Sequence, residues 1–242
     1  HNMQWALAQN MSSLEMQWNQ LIPQQEKGRK FEEKYAQLQY MFVGGDIEKL
    51  SEMKADRAKE SARLKWIAYK DQFFSTVLIA GDAFESTQME STPMNALSRH
   101  IKEYKTTASL PFDITGKKNV DLKYYFGPNH YNTLKAYDKD VEKSERLHLN
   151  ELVPLGWKIV AWINKALVIP MFDLFSSWGL HIGIVILLMT LVIKLIILPF
   201  VFASYKSSAK MRVLKPQLDE INEKYPPEKM QERQQATMAL YQ

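Results

Sequence analysis

The stretch Ile182-Gly-Ile-Val-Ile-Leu-Leu-Met-Thr190-Leu-Val-Ile-Lys194-Leu-Ile-Ile-Leu-Pro199-Phe-Val-Phe-Ala203 decides the fold. Seventeen of its 22 side chains are Ile, Leu, Val, Met or Phe, and Lys194 is its one charge. At 1.5 Å per residue the run is about 33 Å long, enough to cross the hydrocarbon of a bilayer. Each large apolar residue favours insertion by about 0.3–0.6 kcal/mol, against roughly 2.5–3.5 kcal/mol for one central Lys, so insertion wins. A soluble core helix seldom stays apolar all round for so long. Residues 179–203 therefore read as a transmembrane helix, with Pro199 predicting a kink near its end.

The flanks orient the span. Lys206, Lys210, Arg212 and Lys215 follow it directly, whereas the comparable stretch before it offers Lys165. The excess of basic residues predicts that the C-terminal side is cytoplasmic and that everything before the span lies across the membrane. Downstream, Val213 or Leu214, Leu218, Ile221 and Tyr225 mark an amphipathic helix with Pro216 at its start or at a kink. Pro226-Pro227 predicts a break, and a polar helix restarts at Glu228, giving a helical hairpin over residues 204–242.

Upstream, an aromatic-rich helix over Trp157–Leu167 puts Ile159, Trp162, Ile163, Ala166 and Leu167 on one face, with Lys158 and Lys165 on another. Such a helix ahead of a span fits the headgroup interface; the alternative is a surface helix packed on the preceding domain. The interfacial region is taken as 146–178. Residues 131–151 form a polar run read as a helical or extended connector. Before it, Leu14, Met16 and Trp18 alternate with Glu15, Gln17 and Asn19, and Leu38, Tyr40 and Phe42 alternate with polar residues ahead of a Gly44-Gly45-Asp46 turn. Phe73–Ala80 is apolar on both faces apart from Ser75 and Thr76, as in a strand covered on both sides. Lys123–Phe126 ends at a Gly127-Pro128-Asn129 turn. Strands joined by polar turns predict a β-sandwich over residues 1–145, with Ile47–Arg63, rich in Glu, Lys and Ala, as an exposed helix or loop insertion.

Composition excludes several functions. The 242 residues carry 31 Lys and Arg against 27 Asp and Glu, too mild an excess to predict a nucleic-acid partner. No cysteine is present, so there is no disulfide framework, thiolate nucleophile or cysteine-based zinc site. His1, His100, His130, His148 and His181 lack metal-ligand spacing, and neither a metal nor a cofactor is expected. A mean hydropathy of −0.32 places most of the chain in water. The opening His-Asn-Met and closing Ala-Leu-Tyr-Gln read as cuts in a longer chain.

Lys194 needs a physical account. A lone ionisable group in a span usually faces protein or a water-filled cavity and is a functional candidate. Gly183, Thr190 and Lys194 are spaced seven and four apart, placing a small residue, a hydroxyl and an ammonium on one helical face that could border a wet groove. The alternative is snorkelling, although the cytoplasmic end of the apolar run is about 13 Å away along the helix.

Trp178-Gly-Leu-His-Ile-Gly-Ile-Val, Thr190 through Pro199, Tyr205-Lys-Ser-Ser-Ala-Lys-Met-Arg-Val-Leu-Lys-Pro216 and Met238-Ala-Leu-Tyr241 together resemble the YidC membrane-protein insertase family. The likeness is specific over residues 150–242. It is looser upstream, where Leu64–Phe74 and Phe126–Asn129 look like the end of the large periplasmic domain of the Gram-negative branch. The resemblance implies a partial β-super-sandwich in the periplasm, an interfacial helix, a span in the bacterial inner membrane and a cytoplasmic hairpin that receives substrate. It implies an insertase and chaperone for nascent membrane proteins, working alone or with the Sec translocon, with the lipid bilayer and the ribosome as further partners. The family's groove residues fall on Thr190 and Lys194, and the basic residues Lys206, Lys210, Arg212 and Lys215 fall on its hairpin. Lys194 departs from the commoner Arg: it offers a point charge rather than a planar fork.

No nucleophile–base pair is visible, so the expected activity is not enzymatic. Hydrophobic partitioning would drive insertion, and the charge would recruit and orient acidic segments. The main rival is a single-span receptor whose β domain binds a ligand outside the cytoplasm. A carbohydrate enzyme using acids such as Asp113 and Asp121 is a third reading, against which ordinary solvated acids are the simpler account.

Overall fold

Alternation along the first described strand sets the architecture. The computed structural model describes residues 12–113, 119–225 and 229–241. In β1 (Ser13–Pro23) Met16 and Trp18 point into the core, while Glu15, Gln17 and Asn19 are exposed. Helix α1 (Arg29–Tyr35) follows, then β2 (Gln37–Phe42), β3 (Ile47–Lys49), β4 (Asp56–Glu60), β5 (Leu64–Lys70), β6 (Phe74–Phe84), β7 (Ser86–Pro93), β8 (His100–Pro111) and β9 (Leu122–Pro128). They form two antiparallel sheets, in the orders β1-β8-β7-β4 and β3-β2-β5-β6-β9.

The sheets enclose one core from both sides. Leu38, Tyr40, Ile67, Tyr69 and Leu78 of the five-stranded sheet meet Ile22, Met89, Ile101, Tyr104 and Ala108 of the four-stranded sheet. Tyr69 links the layers directly: its ring stacks on Trp18 at 3.7 Å, and its hydroxyl hydrogen-bonds the Trp18 carbonyl and the Thr106 hydroxyl, both at 2.7 Å. The expected β-sandwich is therefore present.

The outer face of the five-stranded sheet is covered too. Met41, Trp66, Ala68, Val77, Ile79 and Tyr125 pack under Leu134, Leu149 and Leu152. Those leucines come from α2 (Tyr131–Lys135) and a short 3₁₀ turn at Leu149–Leu152. The Trp66 indole Nε1–H donates to the Leu147 carbonyl at 2.7 Å. The polar run after β9 is thus not a free connector but a cover, and it accounts for a strand with two apolar faces: Leu78 and Ala80 face the sandwich, Val77 and Ile79 the cover.

Ile47–Arg63 differs from expectation. It contains β3 and β4 rather than a helix or a loop insertion, because β4 pairs with β7 from Asp56↔Ser91 to Glu60↔Thr87. Its Glu, Lys and Arg lie at the edge of a sheet, where charge discourages further strand pairing. The Gly44-Gly45-Asp46 turn joins β2 to β3 as expected, with Gly45 at φ +96°, a backbone state that favours glycine.

A second compact unit begins at Leu155. Helix α3 (Lys158–Ile163) runs through a π turn at Asn164–Val168 into α4 (Ile169–Ser177). Pro170, without an N–H, sits in the first turn of α4, and the wider turn ahead of it absorbs the missing bond. Gly179, at φ +68°, ends α4. Helix α5 (Ile182–Lys224) is a single 43-residue helix that includes Pro199 and Pro216. The sequence predicted separate span and hairpin helices; each proline removes one backbone bond, which long helical flanks tolerate. Helix α6 (Met230–Tyr241) follows in contact with α5, while the Pro226-Pro227 turn lies outside the described residues.

Candidate functional site

Helix α5 starts at His181, whose imidazole Nδ1 accepts the Gly183 N–H at 3.2 Å and so satisfies one of the free donors of the first turn. Beyond that cap the helix has two unlike faces. Val185 is 1% exposed and packs with Met171 and Phe175 of α4; Leu188, Met189, Val192 and Ile193 extend the contact. At about 100° per residue these side chains centre on the face opposite Gly183, Thr190 and Lys194, which fall within about 40° of one another.

The Gly183–Thr190–Lys194 face is exposed throughout. The Thr190 hydroxyl donates back to the Ile186 carbonyl at 2.8 Å, so it is satisfied within the helix and presents its oxygen sideways. Lys194 has no ion-pair partner among the described residues. The face thus juxtaposes a residue without a side chain, a hydroxyl and an uncompensated ammonium, surrounded by Ile, Leu and Val. Chemically it can attract carboxylates and hold water.

The basic residues past Ala203 do not form one patch. Lys206 and Lys210 fall on the side that Val185 occupies further up, while Arg212 and Lys215 fall near the Lys194 side. Arg212 lies 18 residues from Lys194, about five full turns, so the helical period places the two charges on one face. All four are exposed.

Two features of this unit were missed in the sequence. The helical stretch Lys158–Ser177 is, like Ile182–Lys224, long and apolar enough to cross a membrane. The packing partner of α5 is the Met171/Phe175 ridge of α4, signalled by their i, i+4 spacing.

The acids named for a carbohydrate enzyme are not gathered into one site. Asp121 lines a cavity of about 310 Å³ with Asp82, Asn119 and Pro111, and Asp113 is not in its wall. Among the described residues no His, Asp or Glu cluster could hold a metal.

A β-sandwich followed by helices long and apolar enough to enter a bilayer is the build of an integral membrane protein with an extramembrane β unit. Residues 1–170 match the family model described as YidC periplasmic domain, and residues 173–242 match the one described as 60Kd inner membrane protein. The chain belongs to the YidC family. It is similar to proteins named membrane protein insertase YidC, being 51% identical to that of Parabacteroides distasonis over 97% of this chain and 37% of the relative. It is 49% identical to that of Azobacteroides pseudotrichonymphae over 100% of this chain and 40% of the relative. It is 47% identical to one from Bacteroides fragilis over 97% and 38%. The chain spans about two fifths of the length of these relatives.

Proposed function

We propose that this chain supplies the periplasmic β unit and the first groove-forming helix of an insertase that admits the apolar segments of new proteins into the bacterial inner membrane. The observation that carries this reading is the exposed Gly183–Thr190–Lys194 face, set opposite the face that α4 covers. Between Val185 and Ile193 the helix is covered by α4 on one side, which leaves its other side available to line a groove with further helices. Lys194 then draws acidic residues of a short translocated tail into a wet space, which shortens the hydrocarbon they cross, while the adjoining apolar segment moves into lipid. No covalent step is required.

The orientation follows from Lys206, Lys210, Arg212 and Lys215: the end of α5 and α6 are cytoplasmic, and the β unit is periplasmic. In this reading α5 and α6, where these exposed cations lie, are the contact surface for substrate, for the Sec translocon and for a translating ribosome. Similarity to relatives named insertases supports this reading over the single-span receptor.

The test uses the full-length gene product and a short substrate with an acidic tail. Lys194→Arg should retain insertion, and Lys194→Leu should reduce it several-fold at equal protein level. Normal insertion by Lys194→Leu would assign Lys194 to snorkelling and remove the electrostatic step.

A further inference from the structure

The two ends of the β-sandwich are unlike. At the end where β1, β3, β5, β7 and β9 finish, the connecting segments are residues 24–36, 50–55, 71–73 and 94–99. Each presents one large exposed apolar side chain: Phe31 at 55%, Met53 at 58%, Phe73 at 51% and Leu97 at 94%. Among the described loops of the opposite end, Val43 alone, at 44%, is a large exposed hydrophobic residue.

These segments are locked together from beneath. The Arg29 guanidinium donates to the carbonyls of Ser98 at 2.9 Å, Met94 at 2.9 Å and His100 at 3.0 Å, tying α1 to the β7–β8 loop. The buried Lys102 ammonium donates to Ala36 O and to Glu52 O, joining the end of α1 to the β3–β4 loop. Asn129 Nδ2–H donates to Asp71 O at 3.0 Å and fixes the β5–β6 turn. The apolar tips are therefore held in place at one end of a rigid frame.

The exposed charges between the tips have one sign. Lys27, Lys30, Lys34, Lys54 and Arg99 are exposed there. Most neighbouring acids are engaged: Glu32 is buried and accepts the amides of Gln25 and Glu26, Glu33 pairs with Arg29, Glu52 with Lys49, and Asp56 and Asp71 accept backbone amides. Glu26 is half-buried.

We infer that this end of the sandwich docks on the surface of an anionic bilayer, with Phe31, Met53, Phe73 and Leu97 entering the headgroup layer and the five cations meeting lipid phosphates. Apolar side chains on separate loops, singly or as the adjacent pair Phe73 and Phe74, spaced by cations, suit a headgroup surface; a protein partner calls for a larger contiguous apolar core. The inference rests on the membrane placement proposed above, since α5 in the bilayer keeps a membrane surface at high effective concentration.

Leu97→Cys and Val43→Cys, each made singly on a cysteine-free background and labelled with an environment-sensitive fluorophore, test it in proteoliposomes. With phosphatidylglycerol present, the label at position 97 should shift to the blue and be quenched by lipids carrying a shallow spin label, and the label at position 43 should do neither. Replacing Lys30, Lys34, Lys54 and Arg99 by Gln should abolish the difference. Equal, water-like emission at both positions overturns the proposal. So does shielding of position 97 in native membranes alone, which would assign the surface to a protein partner. Flotation of the proteoliposomes with the protein checks that α5 is inserted, separating failure of this docking from failure of the membrane placement itself.

Discussion

Val185 and Lys194 lie nine residues apart on α5, about half a turn from each other in projection, and they mark its covered and its open face. Val185 is 1% exposed against Met171 and Phe175, whereas Lys194 stands clear of every described acid. A charge placed opposite the only described helical neighbour of that segment is placed where further helices or a substrate can reach it.

Disruption of the covered face should be a packing defect and not an electrostatic one. Phe175→Ala should cost about 3–5 kcal/mol if its site cannot collapse, and less if lipid fills the space. Protease resistance of the α4–α5 turn in proteoliposomes reads this; the salt dependence of substrate capture should stay unchanged.

Topology is tested by Ser144→Cys and Gln231→Cys, both at exposed positions. Asn129 is unsuited to this, because its side chain holds the β5–β6 turn and Ser75. In intact spheroplasts an impermeant thiol reagent should label position 144 and spare position 231. Labelling of both would mean that Lys158–Ser177 also crosses the bilayer. Lys158, Lys165 and Asp173 argue against that, since each adds an insertion cost that Ile182–Ala203 meets only at Lys194.

Two buried lysines should make the β unit more stable in mild alkali. Burial lowers Lys70 and Lys102 from 10.5 to about 8. Between those values the unfolded chain binds more protons than the folded one, so stability rises with pH, and the gain is lost as pH falls through about 8. Above pH 10 the sign reverses: burial raises Tyr40, Tyr69 and Tyr104 above their ordinary value of 10.0, so the unfolded chain ionises first. Urea unfolding followed by tryptophan fluorescence should show greatest stability near pH 9–10, the window left by these two signs. Lys102→Met should flatten the rise, and it should also loosen the β3–β4 loop, since Glu52 O loses its donor.

Leu134→Ala should detach the cover on the outer sheet face. Leu134 is fully buried over Trp66, Val77 and Ile79, and its truncation should cost about 2–5 kcal/mol. Proteolysis between Lys135 and Arg146 should accelerate while the inner core, reported by Trp18 stacked on Tyr69, stays native.

Where hydropathy and geometry share a period, the fold was legible in the sequence. Alternation around Met16 and Trp18 located β1, and the two-faced run at Val77–Ala80 required a cover that the residues after β9 provide. Strand β8 escaped notice because its inward positions include Thr106 and Ala108, which carry little hydropathy, and Lys102 buries a charge by donating to carbonyls. Strands β3 and β4 were hidden because edge strands are kept polar. The site helix was legible from Lys194 alone. Its Gly183–Thr190–Lys194 face was legible from the spacing, but what covers the opposite face was not, since that depends on the packing of Met171 and Phe175 across a turn.

The most direct measurement is site-specific photocrosslinking in the full-length protein during insertion of a short acidic-tailed substrate. A crosslinker at Thr190 should capture the substrate strongly, as should one at Leu187, which shares the Gly183–Thr190–Lys194 face; one at Leu191, about 100° round from Thr190, should capture less, and one at Val185 hardly at all. Uniform capture at all four positions, or strongest capture at Val185, would contradict an open groove face centred on Thr190 and Lys194.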